Sequence, residues 1–343
     1  MNLDFSDDQE TLRVSLREFF QKESRPEVVR GSEPLGFDAA LWRKVVGLGL
    51  ASIAVPEDRG GGGAGFVELA IAAESLGRSL APVPLIEAAI ANTVLTSVPQ
   101  QATLEPLVSG AVAGDLLGTL ALHPVTGDVA RLVPAGAVAD LVVVLRGEEL
   151  LAVRMTGRPA DAVPNLGAMP IADCRLDSGE VIVLAKGAAA AAAYDHAVHR
   201  WEMLTGAALV GIASRALELG IDYVMHRRAF GALIAGFQTI QHRLADNATA
   251  VEGARLLAYE AAWAHDVELP AAGTLGTMSF LFASETAFRT ASDSLHFHGG
   301  YGYTLEYDVQ HYFRRAKAWP LVAGDRRATY AQLSHRLFDV TED

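Results

Sequence analysis

The chain has 343 residues, half of them hydrophobic, with a formal charge of −13 and a single cysteine, Cys174. That length and apolar content suit a large folded core, while the acidic balance, with an isoelectric point near 5.2, excludes nucleic acid as the main partner, since a phosphate backbone would be repelled. One cysteine cannot form an intrachain disulfide, the start "MNLDFSDDQE" carries no charged-then-apolar leader, and the expected location is the cytoplasm. Mean hydropathy is slightly positive, yet the apolar runs are broken by proline and charge or are short alanine stretches, so no spanning segment of about 20 residues is expected.

The first third reads as helices. Ser6 is an N-cap candidate for "SDDQETLRVSLREFFQKE", with acids in its first turn and Leu12, Leu16, Phe19 and Phe20 on one face. "DAALWRKVVGLGL" and "GFVELAIAAESLGRSL" repeat the period around a loop at Gly60 to Gly63. Between about residues 115 and 185 the texture changes to short β-branched runs ("ADLVVVL", "ELLAVRM", "EVIVLA") separated by Gly, Pro, Asn and Asp, the pattern of a small antiparallel sheet. From Tyr194 the helical period returns, with one stripe at Leu209, Ile212, Ala216, Leu219 and Tyr223 and another at Phe237, Ile240, Leu244, Ala248 and Val251. The expected class is mainly α with a small β insert: helices over 1–114, a reduced β domain over 115–188 and a helical bundle over 189–343.

Two segments stand out chemically. "HRRAFGALIAGFQTIQHRLAD" (226–246) reads as a helix that stops, turns at Gly231 and restarts; an arginine and free backbone N–H groups beside a helix start suit a pyrophosphate, and an ordinary helix hairpin with a solvated arginine pair has the same spacing. "HFHGGYGYTLEYDVQHYFRRAKAWPLVAGD" (296–325) lacks the spacing of a P-loop or of GxGxxG, and its glycines supply positive φ and close backbone approach. His296 and His298 have no carboxylate or cysteine at ligand spacing, so no metal site is expected. GxSxG, HExxH and CxxC do not occur.

In combination, "GLGLASIAVPEDRGGGG", "AAESLGRSLAPVP", "RRAFGALIAGFQTIQHRLAD" and "HGGYGYTLEYDVQHYFRRAK" resemble the acyl-CoA dehydrogenase family over nearly the whole chain. The resemblance implies a helical N-terminal domain, a middle β domain and a C-terminal four-helix bundle, with FAD bound across a subunit interface. It implies FAD contacts for Arg227, Phe230 and Gln238 and for the Gly299-Gly300 loop, with His296 standing where the family usually has glutamine. The family's catalytic base is a glutamate, and the matching place here is Ala323, which cannot take a proton. A second family position for that glutamate falls on Trp201, with Glu202 one residue, or about 100°, further round the helix. Asp325 is the other fallback. The loop and strand that usually line the flavin ring are also altered ("LALHPVTGDVARLVPAGAVADLVVVL").

What is missing belongs to the ring-and-base side of a site, and what remains belongs to the side donated to a neighbour. The chain is therefore similar to the shorter, base-lacking subunit of heteromeric acyl-CoA dehydrogenases of steroid side-chain breakdown. That likeness implies a full-length homologue as partner, an acyl-CoA substrate and an electron-transfer flavoprotein as acceptor. A homomeric enzyme using Glu202 or Asp325, and a flavin-free helical scaffold, are the alternatives.

Overall fold

A computed structural model describes residues 4–99, 102–156, 162–177 and 179–338. The chain opens with α1 (Asp7–Glu23), α2 (Pro26–Gly31), α3 (Ala39–Gly47), α4 (Phe66–Arg78), α5 (Leu85–Ser97) and α6 (Glu105–Ala113). Ser6 does cap α1: its hydroxyl accepts the Gln9 N–H while the Gln9 side chain accepts the Ser6 N–H, a reciprocal capping box. α4 starts differently, because the carboxylate capping its Phe66 and Val67 N–H groups, at 2.6 and 3.0 Å, belongs to Asp266, 200 residues along the chain.

Strands β1 (Gly118–Leu120), β2 (Val129–Val133), β3 (Leu141–Arg146), β4 (Glu149–Arg154), β5 (Ala172–Arg175) and β6 (Glu180–Lys186) follow. They form a four-stranded sheet in the order β1-β3-β4-β6 and a separate antiparallel pair, β2 with β5. β3, β4 and β6 pair antiparallel as the pattern predicts, whereas β1 adds to β3 in parallel, reached through the β2 excursion. "LVVVL" is continuously apolar because both faces are covered. Leu141, Val143, Leu150 and Ala152 face the helices, while Val142, Val144, Leu151 and Val153 pack with Ala130, Val133 and Cys174. Cys174 is a buried free thiol, which burial pushes up to about 12.

α7 (Gly187–His226) is the 40-residue axis of the second helical region. A two-residue hairpin, β7 (Arg228–Ala229) with β8 (Ala232–Leu233), joins it to α8 (Gln238–Asp266); α9 (Ala272–Phe297), α10 (Val309–Ala318) and α11 (Arg326–Phe338) complete the described chain. α7, α8, α9 and α10 pack as the bundle, with α4 laid across α7. That crossing needs glycine on both helices. A methyl on Gly77 would lie 1.9 Å from the Ala208 carbonyl oxygen, and one on Gly211 would lie 2.0 Å from that of Glu74. The alanine run that looks too short to span a membrane is continuous with α7, the one described helix with the length and apolarity of a span; 67% of that apolar stretch is buried within the fold. The predicted α8 stripe is only half used: Val251 is buried, but Phe237, Ile240 and Leu244 are partly covered and Ala248 is exposed, because this half of α8 overhangs the bundle.

Candidate functional site

At the far end of the bundle, α7 stops at His226, and the Arg227 N–H still bonds the Tyr223 carbonyl. The turn at the hairpin tip places both Phe230 (φ 55°) and Gly231 (φ 81°) in the left-handed region, the requirement of the two-residue turn that matches strand twist. For Gly231 this is free; for a bulky residue such as Phe230 it is strained. The result is a phenylalanine 98% exposed, edge-on to Phe237 at a centroid distance of 6.4 Å. Val224, Ile234 and Phe297 form a small apolar floor beneath the hairpin.

The glycine loop comes to the same place. His298 is buried, stacked on Tyr223 at 4.0 Å, with its Nδ1–H donated to the Ser294 carbonyl at 2.7 Å; burial lowers its pKa. Gly299 then turns with φ 61°, and nothing lies within 4 Å of where a Cβ on Gly299 or Gly300 would stand, whereas one on Gly302 would press 2.5 Å from the Leu295 carbonyl oxygen. Gly302 thus seats the loop, and Gly299-Gly300 leaves its backbone open. Arg227 lies over the Tyr301 ring at 5.9 Å, so the hairpin and the loop form one surface. Gln238, the first residue of α8, and His296 are exposed on these elements. An open backbone, an arginine and unpacked aromatic rings fit the pyrophosphate-to-adenine half of a dinucleotide such as FAD.

Ala323, Glu202 and Asp325 lie elsewhere, in three different settings. Ala323 ends a tight 3-10 turn, Trp319–Ala323, and the chain leaves it through Gly324 at φ 97°. Asp325 is exposed and its carboxylate accepts the Arg327 N–H at 2.9 Å, which makes it the opening residue of α11. His123, in the segment after β1, sets its Nε2 3.1 Å from the Val322 carbonyl oxygen, and Tyr194 donates to the Ala121 carbonyl oxygen at 3.0 Å. The segment after β1 is therefore laid directly on the turn that holds Ala323.

Trp201 and Glu202, about 100° apart around α7, meet different partners. Trp201 is fully buried against Phe280, and its Nε1–H donates to Glu87 at 3.4 Å. Glu87 is raised by burial. Glu202, also buried, accepts the Thr277 hydroxyl at 2.6 Å, and Arg336 of α11 in turn donates to that hydroxyl at 3.2 Å. Burial pushes Glu202 up to about 7. Beside it opens a cleft of about 700 Å³ lined by His196, His199, Arg200, His265 and Arg336 among others, where burial holds His199 and His265 down near 4. Sequence reasoning passed over Glu87, although a lone carboxylate in the apolar run "PLIEAAIANTVL" is a visible signal. It also passed over Arg315, a nine-tenths buried guanidinium donating to the Gly167 and Ala168 carbonyl oxygens, which nothing in "FRRAK" distinguishes from its half-buried neighbour Arg314.

Comparison with known proteins decides the family. The model of the acyl-CoA dehydrogenase N-terminal domain matches residues 6–110 and that of the C-terminal domain residues 186–338. The chain is 30% identical to acyl-CoA dehydrogenase IpdE2 of Mycolicibacterium smegmatis over 97% of its own length and 100% of the relative's. The chain belongs to the acyl-CoA dehydrogenase family. As in that family, a small β region sits between two helical regions. Among solved structures, the ChsE4-ChsE5 complex from Mycobacterium tuberculosis aligns with a TM-score of 0.88 at 25% identity, covering 100% of both chains. The Tcur3481-Tcur3483 steroid acyl-CoA dehydrogenase G363A variant aligns with a TM-score of 0.85 at 24% identity, covering 97% of this chain and 98% of that one.

Proposed function

We propose that this acyl-CoA dehydrogenase family member is the base-lacking subunit of a heteromeric, FAD-dependent enzyme acting on an acyl-CoA of steroid side-chain breakdown. The observation that carries this reading is the contrast between the open Arg227–Phe230–Gly299 surface and Ala323, a methyl group at the matching base position. Phe230 is held in a strained conformation with its ring in solvent, which the lone chain has no use for and a partner's cofactor would cover. Arg227, Phe230, Gln238, His296 and the Gly299-Gly300 backbone would hold the dinucleotide tail for a full homologue. That homologue supplies the base for the α-proton. Bound FAD supplies the hydride acceptor, re-oxidised by an electron-transferring flavoprotein. The similarity to IpdE2 and to a chain of a two-component complex, ChsE4-ChsE5, supports the same reading.

The second reading, a homomeric enzyme, rests on Glu202, since a buried carboxylate near 7 has the affinity of a general base. Purifying the chain alone and with its homologous partner separates the two. The heteromeric reading expects one FAD per pair and acyl-CoA oxidation with an artificial acceptor only in the pair. Stoichiometric FAD with steady turnover in the lone chain overturns it.

A further inference from the structure

A second cleft, of about 320 Å³, opens between α1, α2, the end of α4, α7 and α10, and none of the site residues named above lines it. It lies at the lower end of the size range of small-molecule sites. Its lining carries three guanidinium groups from three helices, Arg17 (α1), Arg78 (α4) and Arg215 (α7). Their acidic complement is short. Glu218 alone pairs with both Arg78, at 2.5 Å, and Arg215, at 3.0 Å, while Asp308 at the margin is held by Arg30 at 2.5 Å. Arg17 makes no ion-pair contact among the described residues, and the nearby Arg78 charge lowers its pKa, against the weaker pull of Glu218 and Glu74. Burial lowers the His311 pKa and so favours its neutral form, and its Nδ1 is turned to Glu33. A chain with a formal charge of −13 thus gathers unbalanced positive charge in one concave place.

Beside these charges the lining includes four apolar residues, Pro26, Val29, Leu80 and Leu219. Leu80 deserves its place by side chain rather than by backbone. It follows the α4 C-cap at φ 48°, a conformation in which glycine is usual, yet it is a leucine only 4% exposed. Cations with apolar side chains in the same cleft match an anion with a short hydrocarbon body. We propose that this cleft binds a small organic carboxylate, its carboxylate against Arg17, Arg78 and Arg215 and its carbons over Leu80, Val29 and Leu219.

The site is independent of the flavin reading, and its test needs no turnover. Hexanoate, acetate and inorganic phosphate are titrated calorimetrically at low salt and neutral pH into the purified protein and its Arg17→Gln and Arg228→Gln variants. Saturable hexanoate binding, about tenfold weaker in Arg17→Gln and unchanged in Arg228→Gln, is the expected result. Acetate should bind more weakly than hexanoate because it cannot reach the apolar side chains. Arg17 is exposed on α1, so its replacement leaves the fold intact, which thermal unfolding checks. Equal hexanoate affinity in wild type and Arg17→Gln, or no saturable binding, overturns the site. Phosphate binding as tightly as hexanoate overturns the assignment to a carboxylate.

Discussion

Two stretches of α7, around residue 201 and around residue 227, are built on opposite terms. Near residue 201 the Trp201 face of the helix is sealed, with Trp201 filling the core and the segment after β1 laid on the turn of Ala323, while Glu202, tied to Thr277, is buried beside the cleft lined by His199 and His265. Near residue 227 it is left open, with an exposed phenylalanine in a strained turn, an arginine over a tyrosine, and a glycine loop with bare backbone. Polar and aromatic groups that a lone chain has no use for are concentrated in one stretch, while the Trp201 face of the other is finished like an ordinary protein interior. In the function proposed above, a chain with one part of the site closed and the other displayed would complete the site of its homologous partner.

The contrast can be broken most forcefully at the sealed face. Trp201→Ala should cost about 3 to 5 kcal/mol of folding stability, read by urea unfolding, because it opens a cavity beside Phe280 and strips the buried Glu87 of its N–H donor. A loss near zero would mean that this part of α7 is not a packed interior.

The next effect is a pH slope. Burial raises Glu202 from 4.5 to about 7, so the folded state holds a proton that the unfolded chain has lost. Its favourable contribution is full below the unfolded value and disappears as pH climbs through about 7. Between pH 5 and 8 the wild type should lose about 2 to 3 kcal/mol that Glu202→Gln does not lose. The same substitution should leave the turnover of the assembled enzyme nearly unchanged. A fall of several orders of magnitude at constant flavin content would instead make Glu202 the base.

At the open end the effects should appear in cofactor and not in folding. Arg227→Ala should weaken FAD retention of the assembly by about tenfold or more, equivalent to roughly 1.5 to 3 kcal/mol, while Arg228→Ala changes little; equal flavin content in the two would remove the assignment. Smallest of all, Phe230→Ala should shift the stability of the lone chain by no more than about 0.5 kcal/mol while lowering flavin content in the pair. Measuring unfolding and flavin absorbance on one preparation tests both halves of that statement.

Much of this architecture is legible from periodicity, because each helix must hide an apolar face and the central strands β3 and β4 hide two. The capping of α1 by Ser6 and the turn at Gly231 are equally visible, being local in sequence. What escapes is non-local. β1 joins β3 in parallel only because the β2 excursion intervenes, and the burial of Glu87 and Arg315 depends on helices far from them in sequence. Asp325, weighed as a base, is occupied in starting α11, a role written in the two residues that follow it. The convergence of Arg227 with the glycine loop, some 70 residues on, follows from the lengths of α8 and α9, which carry the chain out along the bundle and back.

The carboxylate of Asp266 on the first N–H groups of α4 has a consequence for how this protein comes into being. A ribosome releases α4 long before it has made residue 266, so that helix leaves the tunnel with only the local Glu68 cap on the Gly65 N–H, its Phe66 and Val67 N–H groups unmet and its glycine face, cut to fit α7, without a partner. The early helices must wait for the late ones. Such long-range closure makes for slow folding, and a nascent chain halted before residue 266 should be the form most in need of a chaperone.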